Sequence, residues 1–229
     1  MKYRLCLCDL DNTLLDFDAC ERAALAATLA SFELPLSDET IALYAAINDR
    51  HWKALERGET TLARVRVERF RDFLAALGDK HIDADAMNNL YVGFLAQQHE
   101  PMPGAEDFCR RVSARMPLVI VTNGIAKSQH QRVFLSELKG YFSGMVISEE
   151  IGISKPDPRI LYEAMRQIGE QDKTRVILLG DSLTSDIAAA RNASIDSILL
   201  TRGAPAPDPC PATFCASTLA QAAERVLAE

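Results

Sequence analysis

Three short apolar runs end abruptly in polar residues. Tyr3 to Cys8 runs into Asp9-Leu10-Asp11-Asn12-Thr13, Val119-Ile120-Val121 into Thr122-Asn123-Gly124, and Val176-Ile177-Leu178-Leu179 into Gly180-Asp181-Ser182. Runs of this length without internal polar positions read as strands buried on both faces, as in a parallel sheet. From Pro101-Met102-Pro103-Gly104 onward such strands alternate with helical stretches, the pattern of repeated βαβ units. A proline-rich surface loop, 203–211, precedes a last helix over 217–227.

Residues 17–100 carry a different period and contain no convincing buried strand. Apolar positions recur at helical spacing over Ala19 to Phe32, Asp38 to Arg57, Thr61 to Leu77 and Asp83 to Gln98. Ser37-Asp38-Glu39 supplies a cap and acids for the start of the second helix, and Gly78 supplies a stop for the third. The expected organisation is an α/β core formed by residues 1–16 and 101–229, interrupted just after its first strand by a helical domain over 17–100.

Composition narrows the function classes. The chain has 229 residues, nearly half of them hydrophobic, enough for a substantial core. A net charge of −7 argues against a nucleic-acid polymer as partner, and no apolar run reaches the roughly 20 residues of a membrane span. None of the six cysteines forms a C-x-x-C pair, and Cys6 and Cys8 share one face of the first strand as small buried residues. Met1-Lys2-Tyr3-Arg4 leads into that strand without the length or cleavage site of a signal peptide. With the cysteines read as reduced, a cytoplasmic location is expected.

The chemistry sits at the ends of the apolar runs, where open α/β sheets place their ligands. Asp9 and Asp11, one residue apart, can be pushed into different roles, one as nucleophile and one as proton carrier. Thr122-Asn123-Gly124 on its own is a common turn, Lys155 before a proline is commonly a solvated lysine, and Asp181 alone could cap a helix. Their succession changes the reading. Asp9-Leu10-Asp11, Thr122-Asn123-Gly124, Lys155-Pro156-Asp157-Pro158 and Gly180-Asp181-Ser182 with Asp186 resemble, in order, the four signature motifs of the haloacid dehalogenase-like hydrolases.

That resemblance, from Tyr3 to about Leu200, implies a Rossmann-like parallel sheet with helices on both faces and an inserted all-helical cap of the family's first type. It implies Asp9 as the nucleophile that becomes an aspartyl-phosphate, Asp11 as acid and base, and Lys155 as the cation that holds Asp9 and neutralises the phosphate. Thr122, Asn123 and Gly124 would bind phosphate oxygens together with Lys155. Asp9, Asp181, the backbone carbonyl of Asp11 and Asp186, the last directly or through water, would hold Mg²⁺. An acid at Asp11 points away from the family's dehalogenase branch, whose halide leaving group needs no proton. It points to a phosphatase or phosphomutase acting on a small phosphorylated metabolite.

Within the family, Asn48-Asp49-Arg50-His51-Trp52 and Arg69-Phe70, with Phe17 and Thr122-Asn123-Gly124, resemble the pyrimidine 5′-nucleotidase (house-cleaning nucleotidase) subfamily. This implies Phe17, Asn48, Trp52 and Arg69 as contacts for the nucleoside. Asn48 and Trp52 lie one helical turn apart and can share a face, where the sole tryptophan could stack on a base. The competing reading has Trp52 and Phe70 filling the interior of the helical domain. Alternative activities are a sugar-phosphate or phosphoglycolate phosphatase, a phosphomutase, or a non-catalytic scaffold of the same fold.

Overall fold

The computed structural model describes every residue except Lys80 and Glu229. The chain divides into two compact units, Met1–Phe17 with His99–Glu229, and Asp18–Gln98. In chain order the elements begin with β1 (Leu5–Cys8), then α1 (Phe17–Ser31), α2 (Asp38–Glu56), α3 (Leu62–Leu77) and α4 (Ala84–Leu95). There follow α5 (Ala105–Ser113), β2 (Leu118–Thr122), α6 (Ala126–Leu135), β3 (Gly144–Ile147), α7 (Ser148–Ile151) and α8 (Arg159–Ile168). The chain closes with β4 (Val176–Gly180), α9 (Ala188–Ala193), β5 (Asp196–Leu200), β6 (Phe214–Ala216) and α10 (Leu219–Leu227).

The first unit is built on a six-stranded sheet in the order β3-β2-β1-β4-β5-β6, with every neighbouring pair parallel. Successive strand residues face opposite sides, which is why the strands are apolar throughout. Leu5 and Leu7 pack with Ile160, Leu161 and Ala164 of α8 and Ala189, Ala190 and Ala193 of α9. Cys6 and Cys8 pack on the other face with Phe108 and Val112 of α5 and with Leu219, Ala223 and Val226 of α10. Each fully buried aliphatic or aromatic side chain contributes about 1.5–3 kcal/mol, and the two faces together hold the sheet between its helices. The two thiols of β1 are buried and their sulfurs lie 3.7 Å apart, in keeping with a packing role.

The strand order runs outward from β1 in one direction and from β4 in the other. Between them is the topological switch point, where loops leave the carboxyl ends of the strands in opposite directions and open a crevice. β1 and β4 are in register, with Cys8 opposite Leu179, so the residues that follow them emerge side by side.

One feature of the C-terminal part differs from the sequence-based expectation. β6 pairs with β5 at the sheet edge, and Cys210 in the loop before it forms a disulfide with Cys215 rather than remaining reduced. A separation of five residues says nothing about pairing until the loop before β6 turns the chain back and brings the Cα atoms to 6.2 Å. The other four cysteines are free and buried. Among the described residues no helix is long and apolar enough to cross a membrane.

The second unit contains α2, α3, α4 and nearly all of α1. Its helix ends follow from local chemistry: Ser37, Thr61 and Asp83 each accept a backbone N–H from the first turn of the helix they precede. Gly78 ends α3 in the left-handed conformation at φ 77°, where a side chain would be strained. Tyr44, Phe70, Phe73 and Tyr91 form a buried aromatic centre with ring centroids 5.3–5.5 Å apart. Phe70 therefore serves the interior, while Trp52 on α2 is half-buried.

A polar thread runs through this centre. Arg69, only 2% exposed, donates from Nη1 to Asn48 Oδ1 and from Nη2 to Asn88 Oδ1, and its guanidinium lies 5.0 Å from the centroids of Phe70 and Tyr91. Asn48 in turn donates to Glu21 Oε1 at 2.7 Å. Burial raises the Glu21 carboxyl to about 7, with the attraction of Arg69 opposing it. A carboxyl raised on folding binds its proton in the native state before the unfolded state does, so stability is greatest below about pH 4.5 and declines as pH rises to about 7. Glu21→Gln keeps the acceptor for Asn48 and removes the titration. In urea unfolding it should match the wild type near pH 4.5 and exceed it by up to about 3 kcal/mol at pH 8. An equal difference at both values would exclude Glu21 as the cause.

Candidate active site

The three clustered carboxylates at the switch point are each placed by a strand end or by the turn after it. Asp9 follows β1 directly, and its backbone N–H donates to the Leu179 carbonyl of β4, which locks the carboxylate between the two strands. The chain then turns tightly through Asn12, left-handed at φ 58°, a conformation that asparagine tolerates better than most residues. Asn12 Oδ1 accepts the Phe17 N–H at the start of α1.

Asp181 follows Gly180 at the end of β4, and a short π-helical turn over Leu183–Ile187 returns Asp186 to the same place. Asp186 Oδ2 accepts the Ser182 N–H at 3.0 Å. This return depends on Gly180, because a Cβ there would lie 2.3 Å from the Asp186 carboxylate carbon. Carboxylate oxygens of Asp9, Asp181 and Asp186 all lie within 4.8 Å of one another.

Lys155, 1% exposed, reaches the same point from the loop after α7. Its Nζ donates to Asp9 Oδ1, to Asp186 Oδ1 at 2.6 Å and to the Val121 carbonyl at 2.8 Å. Asn123 holds the lysine backbone: its Oδ1 accepts the Lys155 N–H and its Nδ2 donates to the Lys155 carbonyl, both at 2.8 Å. The asparagine side chain is thus engaged with the lysine loop, and a second donation, to Ser185 Oγ, ties it to the turn that carries Asp186.

The electrostatics follow from three acids around one base. Burial works against the Lys155 ammonium, but the attraction of Asp186 and Asp9 outweighs it and keeps the group protonated well above its ordinary range. Burial raises the Asp9 carboxyl; Lys155 opposes this, while Asp186, Asp181 and Asp11 add to it. Asp181 is pushed up to about 7 by burial and by repulsion from Asp186, against the pull of Arg202 and Lys155. One ammonium does not balance three crowded carboxylates. A hard divalent cation would, and a few carboxylates with room for retained water is the donor set magnesium favours. The residues present therefore fit a magnesium ion held by Asp9, Asp181 and Asp186.

Asp11 is held from α6. Its Oδ1 pairs with Arg132 Nη1, and its Oδ2 accepts from Gln129 Nε2 at 2.8 Å. Gln129 and Arg132, both on α6, carried no signal in the sequence beyond their spacing of three on one helix face. Thr122, 2% exposed, shares the Gln129 amide, and Gly124 leaves room for it. Phe17 lies at the edge of this group, its ring centroid 5.7 Å from the Arg132 guanidinium. Asp9, Asp11, Thr122, Asn123, Gly124, Lys155, Asp181, Asp186 and Phe17 thus belong to the first unit. Asn48, Trp52 and Arg69 belong to the second, where Asn48 and Arg69 are bonded to each other.

A parallel α/β sheet with a carboxylate–lysine centre at its switch point places the protein in the Rossmann-like α/β class. The chain belongs to the haloacid dehalogenase-like hydrolases, whose family model matches residues 3–194. It is 34% identical over 199 residues to the pyrimidine 5′-nucleotidase PynA of Streptococcus pneumoniae, covering 86% of this chain and 84% of that one. To the pyrimidine 5′-nucleotidase YjjG of Escherichia coli it is 29% identical over 195 residues, covering 85% and 84%. To the HAD-hydrolase YfnB of Bacillus subtilis it is 32% identical over 196 residues, covering 86% and 83%. A crystal structure of YfnB bound to magnesium superposes with a TM-score of 0.91 at 29% identity, covering 99% of this chain and 100% of that one.

Proposed function

We propose that this protein is a magnesium-dependent phosphatase of small phosphomonoesters, working through Asp9 and favouring pyrimidine nucleoside 5′-monophosphates. The observation that carries the reading is the Asp9 carboxylate locked between β1 and β4, with Lys155 on one oxygen and Asp181 and Asp186 beside it. Asp9 attacks phosphorus, the bond to the ester oxygen breaks, and that oxygen keeps the electron pair and takes a proton from Asp11. Asp11, now a carboxylate, takes a proton from the water that attacks the aspartyl-phosphate; the bond from phosphorus to Asp9 breaks and phosphate leaves. Thr122 and the backbone around Asn123 and Gly124 hold the phosphate oxygens, and Lys155 offsets their charge. Asp9, Asp181, Asp186 and the Asp11 carbonyl would hold a magnesium ion, which would supply the remaining positive charge around the transferring group.

Gly180→Ala offers a check on this centre away from the reacting atoms. The added Cβ would drive Asp186 away, and with it one of the two carboxylate partners of Lys155. Phosphate release is expected to fall by about 100-fold, the scale of a misplacement of about 1 Å. Wild-type turnover would show that Asp186 is dispensable.

The preference for pyrimidine nucleotides rests on the similarity to PynA and YjjG over most of each chain. Phe17, Asn48, Trp52 and Arg69 are the proposed nucleoside-contacting residues, within a cytoplasmic enzyme whose helical unit is the cap. The test is phosphate release from uridine and thymidine monophosphates beside sugar phosphates and phosphoglycolate. Selective turnover of the pyrimidine monophosphates is expected; preference for another group would remove the nucleotidase assignment and keep the mechanism.

A further inference from the structure

Arg132 is wholly buried, and a guanidinium in that position must find acceptors. Its Nη1 donates both to Asp11 Oδ1 and, at 2.9 Å, to Gln129 Oε1. Arginine can only donate, so the carbonyl end of the Gln129 amide must face it. The NH₂ end is then obliged to face the other way, where it meets Asp11 Oδ2 and Thr122 Oγ1, each at 2.8 Å. The polarity of the whole chain of bonds therefore originates at Arg132.

Two consequences follow. Both oxygens of the Asp11 carboxylate are held by donors on one helix, α6, which fixes the side chain rather than leaving it to swing in its partly exposed position. And because Thr122 Oγ1 accepts from Gln129, the Thr122 hydroxyl keeps its own proton for another acceptor. Gly124 is part of the same arrangement: a Cβ there would lie 2.3 Å from Gln129 Nε2 and 2.5 Å from its Cδ and Cγ, so the amide occupies the space that glycine leaves open.

We infer that Gln129 and Arg132 are positioning residues that align the Asp11 carboxyl with the leaving oxygen and aim the Thr122 hydroxyl at the phosphate. The inference rests on the phosphatase reading above. It assigns work to two residues outside the four motifs, and gives Gly124 a reason beyond the turn itself.

The test compares kcat/KM for an alkyl phosphomonoester, uridine monophosphate, with that for p-nitrophenyl phosphate, in magnesium. This parameter reads only the steps through release of the alcohol or phenol, where the alkyl oxygen needs a proton and nitrophenolate does not. Gln129→Met, similar in size but unable to donate, is expected to lower the alkyl value by about 100-fold, the scale of a misplaced proton donor. The aryl value should fall less than about tenfold, from the loss of one donor bond to Thr122. Retained aryl turnover also reports an intact fold. Arg132→Lys, which keeps a cation near Asp11, should restore part of the alkyl activity relative to Arg132→Met. Equal losses on the two esters in every variant would overturn the inference while leaving the phosphatase reading in place. A wild-type protein inactive on both esters would overturn both.

Discussion

Asp9→Asn is expected to lower phosphate release by about 10⁴-fold or more, the scale seen when a catalytic nucleophile is removed. The substitution is nearly isosteric, and its amide oxygen can still accept from Lys155. What it removes is a charge that the fold holds at a cost, since burial and the crowding of Asp181 and Asp186 already push the Asp9 carboxyl upward. Thermal unfolding in the presence of a chelator should therefore show an unchanged or higher midpoint for the variant. Inactivity together with undiminished stability would separate a chemical role from a structural one. Residual turnover above about one part in a hundred would exclude Asp9 as an obligatory nucleophile.

Lys155→Met should cost both activity and stability. The ammonium is the shared partner of Asp9 and Asp186 and also caps the Val121 carbonyl at the end of the buried sheet. Removing one side of a buried ion pair leaves the other uncompensated, at about 3–5 kcal/mol. For a chain of this size that lowers the midpoint by roughly 10 °C. The deficit should depend on pH. Without the ammonium, the Asp9 and Asp181 carboxyls rise further and bind protons in the folded state before the unfolded state does, so the variant loses stability as pH increases. Unfolding in chelator should show a larger gap from the wild type at pH 8 than at pH 5. A gap independent of pH would mean that the loss is one of packing alone.

How much of this could be read in advance depended on whether the information is local. The apolar runs that end in Asp9, Thr122 and Asp181 announce strands buried on both faces, and the carboxyl ends of such strands are where the switch point lies. Ser37 and Gly78 act within a few residues of themselves, so the start of α2 and the end of α3 followed from them. The companions of Asp11 did not. Gln129 and Arg132 lie 118 and 121 residues along the chain from it, on a helix whose polar residues look like an ordinary solvated face. The hydrogen bonds that Arg69 and Asn48 make inside the helical unit, to each other, to Asn88 and to Glu21, were likewise out of reach. Spacing along a helix identifies a shared face but not what the face meets. The Cys210–Cys215 disulfide escaped for a related reason, since the turn that closes it precedes a three-residue edge strand with little periodicity to detect.

The central claim is that phosphomonoester hydrolysis takes place at Asp9, Lys155, Asp181 and Asp186 and requires a magnesium ion to balance their charge. Its most direct test is phosphate release from uridine monophosphate by the chelator-treated wild-type protein, followed through a magnesium titration. Negligible release without the metal and saturable recovery on its return are predicted. Full turnover in the chelator, unchanged by added magnesium, would contradict the account.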